Sequence, residues 1–211
     1  MNLIEHAIQS IDKATHHISD IDERILALQG MSSEKVRHFL NNIVKLPECN
    51  YLEIGCWKGS TIISALYKNN PKMYWVIDNF SQNFYEAGNV KADFIDNFMQ
   101  IIGRPPNLID RNYIEFDPYK EGIRDVNVYF YDGDHMNNAQ ELALKHYLPC
   151  LQKEFIYICD DWNGYDTKRV TRQAIKDLKI QVLFEVELPN NGHNDTELWW
   201  EGLYVSVMRK P

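Results

Sequence analysis

The chain is predicted to adopt an α/β fold, a three-layer α/β/α sandwich around a mostly parallel seven-stranded sheet with an antiparallel last strand. Three observations predict it. Short apolar runs alternate with segments of helical periodicity from about residue 51 onward, the signature of β-α-β units. The run Phe155–Cys159 has no polar interruption of the alternating kind, as in a strand buried on both faces of a parallel sheet. Four strand candidates end in a carboxylate, at Glu53, Asp78, Asp132 and Asp160.

The elements follow in order. Leu3, Ile4, Ala7, Ile8 and Ile11 fall at helical spacing, so residues 2–29 read as helix, ended by Gly30. Residues 1–30 are taken as a helical extension and 31–211 as the main domain. Val36, Phe39, Leu40 and Ile43 form one apolar stripe behind the cap candidates Ser32 and Ser33, and Pro47 closes that helix. Tyr51–Ile54 is the first strand, Ser60–Tyr67 a helix and Tyr74–Ile77 the second strand. A polar loop from Asn79 to Asn89 leads into a helix carrying Phe94, Ile95, Phe98, Ile101 and Ile102. Leu108–Ile109 is a short strand and Tyr113–Phe116 a further candidate. Val126–Tyr131 is a strand, Ala139–Tyr147 a helix, Phe155–Cys159 a strand and Val170–Leu178 a helix. Val182–Leu188 and Leu203–Met208 complete the sheet. Right-handed crossovers then fix most of the topology.

Composition narrows the function. The formal net charge is -8, which argues against a nucleic-acid partner, since such proteins show a basic face. Lys168, Arg169 and Arg172 form the one notable basic cluster and read as a solvated helix face. Cys49, Cys56, Cys150 and Cys159 make no C-x-x-C pair, so reduced thiols and a cytoplasmic protein are expected. Met1 to Gln9 carries Glu5 and His6 and does not read as a signal peptide. No segment approaches the ~20 apolar residues that a membrane helix needs.

The acids at the strand ends carry the chemistry. In an open parallel sheet, ligands bind beyond the carboxyl ends of the strands, where strand order reverses. Four acids at one edge repel unless a cationic ligand, a divalent metal or ligand hydroxyls lie between them. The turn after the first strand reads Glu53-Ile54-Gly55-Cys56-Trp57-Lys58-Gly59-Ser60-Thr61. Gly55 permits a sharp turn and close approach of backbone to a ligand, and Gly59 lets the next helix pack close to the strand. The spacing is not the dinucleotide G-x-G-x-x-G, and the order Lys58-Gly59-Ser60 is not that of a phosphate loop. Asp78 comes one β-α-β step later, where a carboxylate can grip ribose hydroxyls.

Leu52 to Thr61 resembles the E-x-G-x-x-x-G-x-S motif of class I S-adenosylmethionine-dependent methyltransferases. Phe130-Tyr131-Asp132-Gly133-Asp134-His135 resembles the D-G-D-H segment, and Ile158-Cys159-Asp160-Asp161-Trp162 the D-D-W segment, of the branch that includes macrolide-sugar O-methyltransferases. The resemblance covers roughly residues 33–210. It implies a Rossmann-like domain that binds S-adenosylmethionine through Glu53, Gly55, Cys56, Trp57, Gly59, Ser60 and Thr61. It further implies ribose contact by Asp78, an adenine neighbour at Asn112 or Tyr113, and contributions from Asp132 and His135. The sequence departs from the family where Gln152-Lys153-Glu154 stands in place of Gly-Gly before the fifth strand. The segment Asp195–Glu201, with Trp199 and Trp200, is also outside the pattern, and is read as a substrate wall or a contact within a homo-oligomer.

Asp132, Asp160 and Asp161 offer hard oxygen ligands suited to Mg²⁺, and relatives of that branch with the same acids bind it. Adjacent residues of an extended strand point opposite ways, so Asp161 joins Asp160 only if the chain has already turned; otherwise it caps the next segment. A metal there would favour the alkoxide form of a substrate hydroxyl. Histidine as a residue type can take up a proton near neutral pH, so His135 is the candidate general base, or else it contacts adenine or orients its loop. Asp134 is the candidate to orient the imidazole or take the proton itself. The expected activity is metal-assisted O-methylation of a small hydroxylated molecule such as a sugar or natural product. The alternatives are a binding protein that keeps the fold without turnover, and a metal-independent N-methyltransferase. Acceptor contacts are expected from residues 1–30, 79–90, 162–168 and 189–201. The aromatics Phe80, Phe84, Tyr85, Trp162, Tyr165, Trp199 and Trp200 would suit an apolar or sugar face.

Overall fold

The computed structural model describes residues 2–82, 88–164 and 166–211. Phe84, Tyr85 and Tyr165, three of the aromatics expected at the acceptor site, lie outside the described residues. The strands are β1 (Asn50–Ile54), β2 (Met73–Ile77), β3 (Leu108–Ile109), β4 (Val126–Tyr131), β5 (Leu151–Cys159), β6 (Gln181–Leu188) and β7 (Leu203–Arg209). They form one sheet in the order β3-β2-β1-β4-β5-β7-β6. β1 to β5 pair in parallel with their neighbours. β7 runs antiparallel to both β5 and β6, so the expected antiparallel last strand is wedged between two strands that precede it in the chain.

The alternation of side chains along a strand divides the core between the two faces. Tyr51, Val128, Phe130, Ile156 and Ile158 join one buried cluster, which also takes residues of α1 (Leu3–Thr15), α3 (Glu34–Ile43), α4 (Ser60–Leu66) and α5 (Val90–Ile102). Leu52, Ile54, Tyr129, Tyr131 and Tyr157 join the other, against α6 (Ala139–Tyr147) and α7 (Thr167–Asp177). β1 and β4 are buried along their whole length, as central strands covered on both sides must be.

Two expectations are corrected. Residues 2–29 are not one helix: α1 stops at Thr15 and the short α2 spans Glu23–Leu26. The stop is a Schellman motif, with Ile18 N–H donating to the Lys13 carbonyl at 2.8 Å and His17 N–H to Ala14 at 3.0 Å. Asp22 then caps α2 through Arg24 N–H at 3.1 Å. Tyr113–Phe116 is turn rather than strand. The Asn112 side chain accepts from Ile114 N–H at 3.3 Å, and Glu115 N–H donates to the Asn112 carbonyl at 3.1 Å, a local alternative that competes with strand pairing. β5 also begins earlier than the apolar run, at Leu151. Its polar start is paired, because Arg209 of β7 meets Glu154 at 2.6 Å.

Candidate functional site

Strand order reverses between β1 and β4, so the carboxyl ends of these two strands flank the switch point. The sequence places its two most distinctive turns there. Gly55 follows β1 at φ 85°, and a Cβ on it would lie 1.8 Å from the Asp132 carbonyl oxygen. The two turns are in backbone contact, and only glycine allows it. Gly59 caps α4 at φ 91°, and its Cβ would sit 2.8 Å from the Phe94 ring of α5. Gly59 N–H bonds the Cys56 carbonyl at 2.7 Å and closes the bend between them.

The carboxylates around this bend are already engaged. Asp78 Oδ2 accepts from Cys56 N–H at 2.8 Å and Trp57 N–H at 2.9 Å, and Oδ1 from Phe80 N–H at 2.7 Å. Asp78 therefore ties the end of β2 to the turn after β1. A carboxylate has about four acceptor positions, so roughly one stays open on Oδ1. Glu53 is fully buried. Tyr51 Oη donates to it at 2.5 Å and Thr61 Oγ1 at 2.6 Å. Burial raises its pKa to about 8, opposed by these two donors and reinforced by Asp78. Glu53 thus braces the first turn of α4 against β1. The Trp57 indole N–H is buried and has no partner among the described residues, beside the bend.

The second half of the site lies at the ends of β4 and β5. Asp161 has φ 51°, so the chain has turned there and Asp160 and Asp161 are not held to opposite faces. His135 Nε2 lies 3.4 Å from Asp161 Oδ2 and 3.8 Å from Asp132 Oδ1. Asp160 is 2 % exposed, and its Oδ1 has no partner among the described residues. Burial is the first cause that holds all three aspartates above the usual carboxylate range. Neighbouring acids add to it: Asp161 and Glu53 for Asp132, Asp132 and Asp161 for Asp160, Glu201 for Asp161. Among the described residues, these three carboxylates do not present ligand atoms mutually within 4.8 Å.

Other expected residues are placed differently. Asp134 is exposed, and its carboxylate accepts from Met136 N–H at 2.9 Å, while Asp132 and Asp161 are the carboxylates recorded at the Nε2 side of His135. Asn112 is used in its own turn. Tyr113 beside it meets Tyr131, at the end of β4, edge-on at 5.9 Å. Trp162 is 1 % exposed and stacks on Tyr204 at 4.1 Å. Trp199 is 4 % exposed and packs edge-on against Phe39. Both are core residues rather than walls of an open pocket. The basic cluster is paired locally: Lys168 and Arg172 with Glu187, and Arg169 with Asp166.

Three residues that the sequence did not single out enter the site. Lys58 is 7 % exposed, and its ammonium meets Asp93 at 2.7 Å and donates to the Gln29 side-chain Oε1 at 3.0 Å. Gln140 bonds the other imidazole nitrogen of His135, Nδ1, at 3.2 Å. Gly30 abuts the start of α4, where its Cβ would lie 1.8 Å from Ser60 Oγ. A lysine between two motif glycines was the signal available for the first. The other two carry no pattern. Beside His135, a cavity of about 540 Å³ opens between α6 and α7, lined in part by Glu141, Asp166, Arg169 and Gln173.

No protein-family model matches the chain. No curated protein matches it either. Solved structures do resemble it. TrmN from Thermus thermophilus superposes with a TM-score of 0.61 at 10 % identity, over 89 % of this chain and 52 % of that one. This chain thus spans about half the length of TrmN. The precorrin-6y C5,15-methyltransferase from Geobacter metallireducens gives 0.59 at 14 % identity, over 92 % and 93 % of the two chains. The O-methyltransferase from Bacillus cereus, in complex with SAH, gives 0.56 at 14 % identity, over 98 % and 90 %. The likeness is one of fold: this chain has the mixed α/β sandwich on which those methyltransferases are built. No helix among the described residues is long and apolar enough to cross a membrane.

Proposed function

We propose that the chain is an S-adenosylmethionine-dependent methyltransferase that methylates a hydroxyl of a small molecule with the help of Mg²⁺. One observation carries the reading. A glycine bend that tolerates no Cβ sits at the sheet's switch point, between the carboxylates Asp78 and Asp132. Such a bend lets main chain approach a ligand closely, and nearby carboxylates suit a sulfonium nucleoside. Cofactor roles are assigned to Glu53, Gly55, Cys56, Trp57, Gly59, Ser60, Thr61, Asp78, Asn112, Asp132 and His135. Within that set Glu53 and Thr61 brace the bend, and the open position on Asp78 is offered to a ribose hydroxyl.

Asp132, Asp160 and Asp161 are assigned to a divalent cation, which would have to draw together carboxylates whose ligand atoms do not all lie within 4.8 Å of one another. Asp160 is buried, its pKa is raised by burial and by Asp132 and Asp161, and among the described residues one of its oxygens has no partner, a conflict that a dication would relieve. Bound there, Mg²⁺ would polarise an acceptor hydroxyl. Methyl transfer forms the C–O bond as the C–S bond breaks, the electron pair stays on sulfur, and the hydroxyl proton goes to a base. His135 is assigned as that base. With Gln140 donating to Nδ1, the neutral ring carries its proton on Nε2. Turning the Gln140 amide over would give Nδ1–H an acceptor in the Gln140 oxygen, which has no partner among the described residues, and would move the ring proton off Nε2, the nitrogen that faces Asp132 and Asp161. Amide orientation is set by such networks. Holding the two reactants in line is worth roughly 7–11 kcal/mol of the barrier.

The test is single-turnover transfer from methyl-labelled S-adenosylmethionine to a panel of small hydroxylated acceptors, with Mg²⁺ or with chelator. Asp160→Ala is expected to abolish the Mg²⁺-dependent rate while cofactor affinity stays within a few-fold. Equal rates with and without chelator would remove the metal from the account.

A further inference from the structure

We propose that His17, Glu34 and His38 bind a transition-metal dication of the zinc type, which clips the N-terminal segment to α3. Among the described residues, these three each present a ligand atom within 4.8 Å of the other two. Glu34 and His38 are four residues apart on α3 and so share a face. His17 reaches that face from α1. It holds the left-handed position of the Schellman motif, φ 55°, which normally takes glycine. A histidine there brings its Nδ1 to 3.3 Å from Glu34 Oε2, and its ring edge-on to His38 at 5.3 Å between centroids.

The His38 ring is set for ligation. It is 4 % exposed, and its Nδ1 lies 2.8 Å from Ser19 Oγ, which leaves Nε2 to face the cation. A hydrogen bond on the far nitrogen is the usual way that a metal-binding histidine is oriented. Ser19 Oγ is itself fixed, accepting from Ile21 N–H at 3.2 Å. Two imidazoles and one carboxylate form a three-ligand set with a fourth position for water. His17 and Glu34 are 47 % and 54 % exposed at their side chains, so a cation can enter from solvent. The all-oxygen cluster at Asp160 suits a harder ion. The segment clipped in this way, residues 18–33, carries Gln29 and Gly30, which touch Lys58 and Ser60 of the cofactor bend.

The experiment is Zn²⁺ and Co²⁺ titration of the full chain, free of any histidine tag and in excess Mg²⁺, with thermal midpoints recorded in parallel. One Zn²⁺ per chain is expected, with the visible d–d absorption of a low-coordinate site when Co²⁺ replaces it. His17→Gly removes a ligand but supplies the residue that the helix end prefers, so the metal-free variant stays folded. It is expected to bind Zn²⁺ roughly 10-fold more weakly or worse, as is Glu34→Gln, and both lose the Zn²⁺-induced rise in midpoint. No saturable binding in the parent chain would overturn the proposal. So would an unchanged affinity in either variant, or binding lost through Asp160→Ala instead. None of these results depends on S-adenosylmethionine binding.

Discussion

At the scale of single residues, the site is a set of acids whose state depends on burial. Glu53 is the clearest case. Its pKa is near 8 in the fold and close to 4.3 in an unfolded chain. Between those values the native state holds a proton that the unfolded state has released, so stability falls as pH rises and levels off above about 8. Burial of Asp132 and Asp160 pushes the same way. Glu53→Gln copies the protonated form and should flatten the decline in thermal midpoint between pH 5 and 8. An equally steep decline in the variant would remove Glu53 from the cause. The sequence displayed these acids because each ends a strand, and it displayed Gly55 and Gly59 as a motif. It could not display Asp78's three amide partners or the Gln140 bond to His135, since neither follows from spacing along the chain.

At the scale of elements, the N-terminal segment is the part least legible in advance. Apolar spacing over Leu3–Ile11 was read onward to residue 29, but the helix ends where a histidine, not a glycine, takes the left-handed position. The segment is nonetheless bound in: Ala7, Ala14, Ile21 and Ile25 are buried in the same cluster as β1 and α4. Its one glycine, Gly30, meets Ser60 beside the bend proposed to seat the cofactor. Gly30→Ala should therefore weaken S-adenosylhomocysteine binding and cost about 1–3 kcal/mol of stability through overpacking, seen as a drop of roughly 2–12 °C in thermal midpoint. Wild-type affinity in that variant would mean that the contact has no part in the site. The strands are legible where their apolar runs are short and continuous, as in β4 and the second half of β5. The early start of β5 was hidden, because its polar residues are matched by Arg209 across the sheet.

At the scale of the whole molecule, sheet order and charge distribution bear on what the fold can serve. The order β3-β2-β1-β4-β5-β7-β6 brings strand ends from Glu53 to Asp161 to one edge, so residues over a hundred positions apart become neighbours. Alternation of strands and helices in the sequence was enough to expect that edge, but not the insertion of β7 beside β5. The formal net charge is -8, and Lys168, Arg169 and Arg172 are each matched to an acid on the same surface, whereas a phosphate-tracking face needs unpaired basic groups.

The central claim is that the Gly55 bend seats a sulfonium nucleoside between Asp78 and Asp132. Calorimetric titration with S-adenosylhomocysteine tests it most directly, comparing the parent chain with Gly55→Val, whose added carbons would meet the Asp132 carbonyl. The account predicts saturable heat at one site per chain, lost in the variant while its circular dichroism still reports an intact sheet. Absence of binding in the parent chain, or undiminished binding in a folded Gly55→Val, would contradict it.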